Sequence, residues 1–266
     1  MKALTLLKRL PALLLAACTL AACEQDDDIL HDAHWVGNPL PENIVPQEGC
    51  VYEYNSEGLV VKIKRPITDY DENQQPVITG WHDVAYVTYP QSGRAVMQYV
   101  DYNTPTTYVF AFGENHFAHS VIETDGSGNY LIELTYDDDG HLTRFKRPEE
   151  FEEELRMQWT NGNLTRVEED SQGAYTEISY GTGTDFATYH VSPFLLNVVK
   201  GPYLNGLGWW FDQGMKHALY LGFLGKPSVN LPVSMVAYDD INDTPEEYVI
   251  EYLNGYCYIN GNIIGN

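Results

Sequence analysis

Positive charge is scarce in this chain of 266 residues: fifteen Lys and Arg stand against 38 Asp and Glu, a formal net charge of −23. Three of the fifteen, Lys2, Lys8 and Arg9, lie at the extreme N-terminus, which leaves twelve for everything after it. A surface this acidic is repelled by nucleic-acid phosphates and anionic headgroups, so DNA and RNA are not expected partners. Cysteine is scarce as well, with four residues, and none sits in a recognisable nucleophile motif. No Gly-x-Ser-x-Gly elbow or P-loop is present, and no acidic run completes an EF-hand loop. His116-Phe117-Ala118-His119 lacks the Glu of a zinc-protease helix, and strand alternation would turn its two histidines to opposite faces. Nothing here indicates a metal, a cofactor or a catalytic residue. Disorder is excluded too, because 44% of the chain is hydrophobic and 13% aromatic.

Long apolar runs are missing except at the start. Leu10 to Leu20 follows the basic Lys2, Lys8 and Arg9, and is too short to span a bilayer. Residues 1–22 therefore read as a secretory signal peptide. It ends Leu20-Ala21-Ala22-Cys23, which resembles a bacterial lipobox and implies Cys23 as the lipidated residue; Leu15-Ala16-Ala17-Cys18 also fits the pattern. Residues 23–49, with Asp26-Asp27-Asp28 and Pro39, Pro41 and Pro46, read as a flexible acidic tether. The acids directly behind Cys23 are similar to the export signal of surface-displayed lipoproteins. The expected address is the outer membrane, exposed at the cell surface, with the lipid as the membrane attachment; a periplasm-facing lipoprotein is the alternative. Cys50 and Cys257 then remain near the two ends of the domain. Outside the cytoplasm they can pair, or stand as separate buried thiols.

What the chain has in quantity is strand alternation broken by turns. Tyr130, Ile132, Leu134 and Tyr136 alternate with polar residues, Asp137 to Gly140 supplies a turn, Leu142 to Lys146 returns, and Pro148 ends the strand. Tyr54, Asn55, Gly58, Val60, Ile63 and Pro66 fall on the same pattern. Trp159-Thr160-Asn161-Gly162 repeats the turn in shortened form, Tyr89 to Gly93 is a looser copy, and Tyr108 to Ile122 alternates around Gly113-Glu114-Asn115. Because the copies keep the turn and lose the acid, Asp137 reads as turn-former rather than Ca²⁺ ligand. Asp239 to Asp243 is a second acidic run weighed for Ca²⁺. Lys62, Lys64, Arg65, Arg144, Lys146, Arg147, Arg156 and Arg166 cluster on return strands. Cross-strand pairing with residues such as Glu53, Glu133 and Glu168 is preferred to an anion-binding stripe.

Tyr136-Asp137 with Gly140, Leu142, Thr143 and Arg144 resembles the YD repeat of Rhs-type proteins, whose many hairpins curl into a shell; the copies here are too few to enclose anything. Together with the lipobox and Gly225 to Pro232 (GKPSVNLP), the chain is similar to a group of surface lipoproteins of unknown function from Gram-negative gut-type anaerobes. That resemblance implies a fold and a location, and carries no catalytic residue.

The expected fold is thus mostly β, an antiparallel meander of consecutive YD-like hairpins over residues 50–266. A short two-helix insertion at about 192–222 packs on one face: Ser192 to Gly201, then about Asp212 to Leu221. Trp209, Trp210 and Phe211 lie between the helices, as a ligand or partner contact or, preferred, as core. The sequence points to a non-catalytic binding protein, with a glycan or an outer-membrane protein as partner. The alternative is an extracellular glycan hydrolase using a carboxylate pair that no spacing singles out.

Overall fold

Alternation turns successive side chains of a strand to opposite faces, so a chain that alternates nearly throughout builds one long sheet. The computed structural model describes residues 49–91, 93–101, 105–148, 153–169, 173–186, 188–189, 213–238 and 244–264. The signal peptide, Cys18, Cys23, nearly all of the tether, the helix expected over 192–201, Trp209, Trp210, Phe211 and the acidic run 239–243 lie outside them.

Among the described residues fifteen strands follow one another: β1 (Val51–Tyr54), β2 (Val60–Tyr70), β3 (Pro76–Gln91), β4 (Arg94–Tyr99) and β5 (Thr106–Phe112) come first. Next are β6 (Ala118–Thr124), β7 (Asn129–Tyr136), β8 (Leu142–Arg147), β9 (Glu153–Thr160), β10 (Asn163–Glu169) and β11 (Ala174–Tyr180). After a helix, α1 (Gln213–Tyr220), come β12 (Pro232–Tyr238), β13 (Glu246–Leu253), β14 (Tyr256–Ile259) and β15 (Asn262–Ile264). The sheet order is the chain order, and each pairing is antiparallel, so the expected meander is the observed one. Of the two expected helices, one is present among the described residues.

One face of the sheet is the core. Ile63, Met97, Phe110, Ile132, Phe145, Leu155 and Val167 are fully buried on it. α1 lays Met215, Ala218 and Leu219 on this face, and Phe223 behind it meets Phe110 and Phe112 edge-on at 5.1 and 5.0 Å. So short a helix is held by packing rather than by its own propensity. Gly214 lets it sit close: a Cβ there would fall 2.3 Å from the buried ring of Tyr108.

The recurring aromatic has a job in five of the hairpins, though not at Tyr54, which is exposed. Tyr89, Tyr136 and Tyr180 donate their hydroxyls to the carbonyls of Val60, Ala118 and Leu164, at 2.9, 2.7 and 2.5 Å. Trp159 donates its indole N–H to Leu142, and Tyr252 its hydroxyl to Pro232, both at 2.8 Å. Each thus ties the end of an odd-numbered strand to the start of the even-numbered strand before it. A shift of register falls beside Tyr54, Phe112, Tyr136 and Tyr180, the kind of bulge that re-aims a side chain.

A strap then crosses the same end of the sheet. Lys226 donates its backbone N–H to Gly140, Val229 to Gly162, and Leu231 to Gly183, at 2.9, 3.2 and 2.7 Å. Gly225, Ser228, Asn230 and Leu231 of GKPSVNLP therefore sit on successive hairpin turns. Asn163 fixes the strap further, its Oδ1 accepting from the N–H groups of Val229 and Asn230. Gly225 must be glycine, because its φ is +100° and a Cβ would lie 3.0 Å from Leu142 N and 3.1 Å from Gly140 O.

Two expectations need correction. Pro148 closes its hairpin as expected, but Pro66 does not end β2, which runs on to Tyr70. β1 stops pairing at Val51 opposite Lys64, so Pro66 stands on an edge where no described strand asks for its N–H. Alternation in the sequence also leads one to expect a last hairpin of Glu247 to Leu253 and Tyr256 to Ile264 across Asn254-Gly255, but its second arm is two strands, broken by Asn260 and Gly261 at φ +49° and +77°. Asn260-Gly261 carries the same turn signal as Asn254-Gly255. Cys50 and Cys257 are both buried.

Candidate functional site

The turn at Asp137 is the natural place to look for a metal. Ligand atoms of Asp137, Asp139 and His141 lie within 4.8 Å of one another. The oxygens of Asp137 are already engaged in the turn. Asp137 Oδ1 accepts the backbone N–H groups of Asp139 and His141 at 3.1 and 2.8 Å, and Oδ2 lies 3.0 Å from His141 Nδ1. Burial pulls the Asp137 carboxyl up, but the hydrogen bonds from His141 outweigh it and leave the pKa below the ordinary value. The His141 ring stacks on Trp159 at 4.5 Å. Asn55 makes the same two backbone bonds with an uncharged amide, and Asp71 makes them in another turn. A group replaceable by an amide is a turn-former.

Seven of the eight clustered basic residues, Lys62, Lys64, Arg65, Arg144, Arg147, Arg156 and Arg166, form ion pairs as expected. On the exposed face Lys62 meets Asp83 at 3.3 Å, Lys64 meets Glu53, and Arg166 meets Glu168 and Glu177 at 3.2 and 3.0 Å. Glu154 takes both Arg144 and Arg156, and Arg147 holds Glu123 at 3.0 Å. The Arg144 guanidinium keeps the Glu154 carboxyl below the usual range despite its burial, so it is poised as a counter-ion and not as a general acid.

A second polar cluster closes the other end of the core. Asp101 accepts from Arg65 through both oxygens, at 3.0 and 3.1 Å, and Oδ1 lies 2.9 Å from His82 Nε2. Tyr99 adds a hydroxyl at 3.3 Å. Nearby, His217 of α1 is buried with Nδ1 unpartnered among the described residues. Desolvation lowers its pKa to about 4, against the opposing pull of Asp101. With its carboxylate so fully engaged, this cluster is a brace: it ties the base of the β2–β3 hairpin to the corner after β4.

Beyond that brace the hairpin stands alone. β1 reaches β2 only at Lys64, and β4 reaches β3 only at Ala85, so residues 66–82 pair with each other and with no other described strand. Ile67, Tyr70, Val77, Ile78 and Trp81 are 41–65% exposed there. Register sorts the side chains. Pro66 faces Trp81, Thr68 faces Ile78 and Tyr70 faces Pro76, and these three pairs share one face. That face carries no charge. One step toward the sheet, the same face becomes Lys64 opposite Asp83. The other face of the arm carries Ile67 and Val77 beside Arg65, His82 and Asp69. This arm is the one stretch of the described residues where large apolar side chains gather in the open on an uncharged surface.

The fold has solved relatives. A porin-like protein of Bacteroides uniformis matches 81% of this chain over 84% of its own, with a TM-score of 0.51 and 15% identity. A porin-like protein of Bacteroides vulgatus matches 77% of this chain over 95% of its own, with a TM-score of 0.43 and 11% identity. At these identities the likeness is one of fold, a mostly β antiparallel meander. No protein-family model and no curated protein matches the chain.

Sequence reasoning offered Trp209, Trp210 and Phe211 as a possible contact, with core preferred; they lie outside the described residues, and the arm was missed. The signal was there: Tyr70, Val77, Ile78 and Trp81 flank a polar turn, Asp71 to Gln75, just as Tyr130 to Tyr136 leads into Asp137 to Gly140. Reading Pro66 as a strand end hid it.

Proposed function

We propose that this is a lipid-anchored envelope protein that works by binding rather than by catalysis, with the β2–β3 arm as its contact element. The observation that carries this reading is the uncharged Pro66–Trp81, Thr68–Ile78, Tyr70–Pro76 face on a hairpin that nothing else in the sheet supports. Elsewhere the exposed face is knitted by ion pairs, the ordinary surface of a solvated sheet. It is also the reverse of a membrane-spanning barrel, which turns apolar residues to lipid and polar ones to its lumen. A working pore is therefore disfavoured, even though a porin-like protein shares the fold. The lipobox at Cys23, the hairpins of YD type and the acidic tether support attachment at the outer membrane, exposed at the cell surface. Glycan hydrolysis finds no support, since buried Glu123 and Glu154 are both held by guanidinium groups.

The test is site-specific photo-crosslinking in intact cells. A photoreactive residue in place of Tyr70 is expected to give crosslinked products, and one in place of the exposed Gln158 on β9 is not. Equal product patterns from both positions would contradict the reading. Attachment is checked separately: a palmitate analogue labels the native protein and leaves Cys23→Ala unlabelled.

A further inference from the structure

The arm's surroundings say what it touches. Building on the binding role just proposed, we infer that the uncharged face of the β2–β3 arm lies on a lipid bilayer and orients the domain against the membrane that anchors it. Three observations converge. The first is size: six side chains present a few hundred square ångströms at most, well short of the roughly 800 Å² per partner that a stable protein interface buries. A second copy of so acidic a chain, meeting it through so small a patch, would not hold. A bilayer sets no such threshold, because each apolar side chain partitions on its own and gains from an anchor already in place.

The second is chemistry. Trp81 and Tyr70 are the residue types that settle at the headgroup level, one end apolar and one end wet, with Ile78 and the two prolines between them. The third is where the chain enters. β1 starts at the arm's end of the sheet, and a Cβ on Gly49 would sit 3.7 Å from Pro66 Cγ, at the root of the uncharged face. If Cys23 carries the lipid, the 26 residues from Glu24 to Gly49 end beside the arm. A flexible chain of 26 residues spans roughly 30 Å, a length that would keep the arm within reach of the bilayer. The face is uncharged but its tip carries Asp71 and Glu72, so contact by the flat face is favoured over insertion of the tip. For the same reason anionic lipid weakens the contact, opposite to what a polybasic anchor shows.

The experiment reads tryptophan fluorescence of the mature protein with phosphatidylcholine vesicles whose acyl chains carry bromine, a short-range quencher. Quenching is expected in the native protein and most of it should vanish in Trp81→Phe, whose melting temperature stays unchanged because Trp81 packs on nothing in the core. In the double variant Tyr70→Ser, Ile78→Ser the retained Trp81 should lose quenching, and phosphatidylglycerol added to the vesicles should reduce it. Quenching that survives Trp81→Phe, or is absent throughout, overturns the bilayer contact. If Trp81 is unquenched while position 70 still crosslinks to protein in cells, the bilayer inference falls and the binding role stands. If both signals are absent, both fall.

Discussion

Asp137, Asn55 and Asp71 show how much a single side-chain oxygen can fix: each accepts two backbone N–H groups across its turn, and acid and amide do it equally. Asp137→Asn should therefore change stability by less than about 1 kcal/mol in urea unfolding, whereas Asp137→Ala, which strands two donors, should lower it by about 1–2 kcal/mol. Gly225 is less forgiving. Gly225→Ala meets both a positive φ and two backbone atoms, and should lower stability by roughly 2–3 kcal/mol in the same measurement. His217 sets a pH window. Its folded pKa, about 4, lies below the ordinary 6.5, so the unfolded chain takes the proton first. The stability this contributes is fully present above 6.5 and is lost as pH falls toward 4. Stability measured across that window should fall more steeply in the native protein than in His217→Phe, by on the order of 2–3 kcal/mol at its acid end.

Among the elements, the hairpin is the unit, and its aromatic is the tie between units. Tyr136→Phe keeps the ring against Phe117, with centroids 5.2 Å apart, and removes only the bond to Ala118, so it should cost about 1 kcal/mol. Trp159→Ala loses both the bond to Leu142 and the stack on His141, and should cost about 3 kcal/mol or more by chemical denaturation. The hairpins were legible in the sequence because alternation and turn residues are local signals. So was α1, expected over about Asp212 to Leu221 and found at Gln213–Tyr220. The struts were not. Tyr136 and Ala118 are eighteen residues apart, and only the folded register shows that a ring at one strand end meets a carbonyl at the start of another. The strap was visible as a motif, while its role of crossing several turns is a tertiary fact. Pro66 misled for a related reason: whether a missing N–H breaks a strand depends on which neighbour is there to need it.

Taken as a whole, the molecule divides its labour between a sheet that is stable through local hairpins and one arm, the distal part of the β2–β3 hairpin, that adds nothing to the core. The brace of Arg65, Asp101 and His82 marks the boundary between them. The candidate site was the less legible half, since it depends on what does not pair: one face of the arm is apolar and uncharged, and the arm is unsupported only in relation to where β1 and β4 stop. The sharpest measurement replaces residues 68–79 by a two-residue Asn-Gly turn, leaving Ile67 and Gly80 as the last pair, and follows melting and photo-crosslinking from position 81, on the uncharged face, together. The expected result is a cooperative transition within a few degrees of the native one and loss of the crosslinked products that position 81 gives in the intact arm. A shortened protein that still crosslinks as the native one does, or that no longer unfolds cooperatively, would contradict the division of scaffold from contact element.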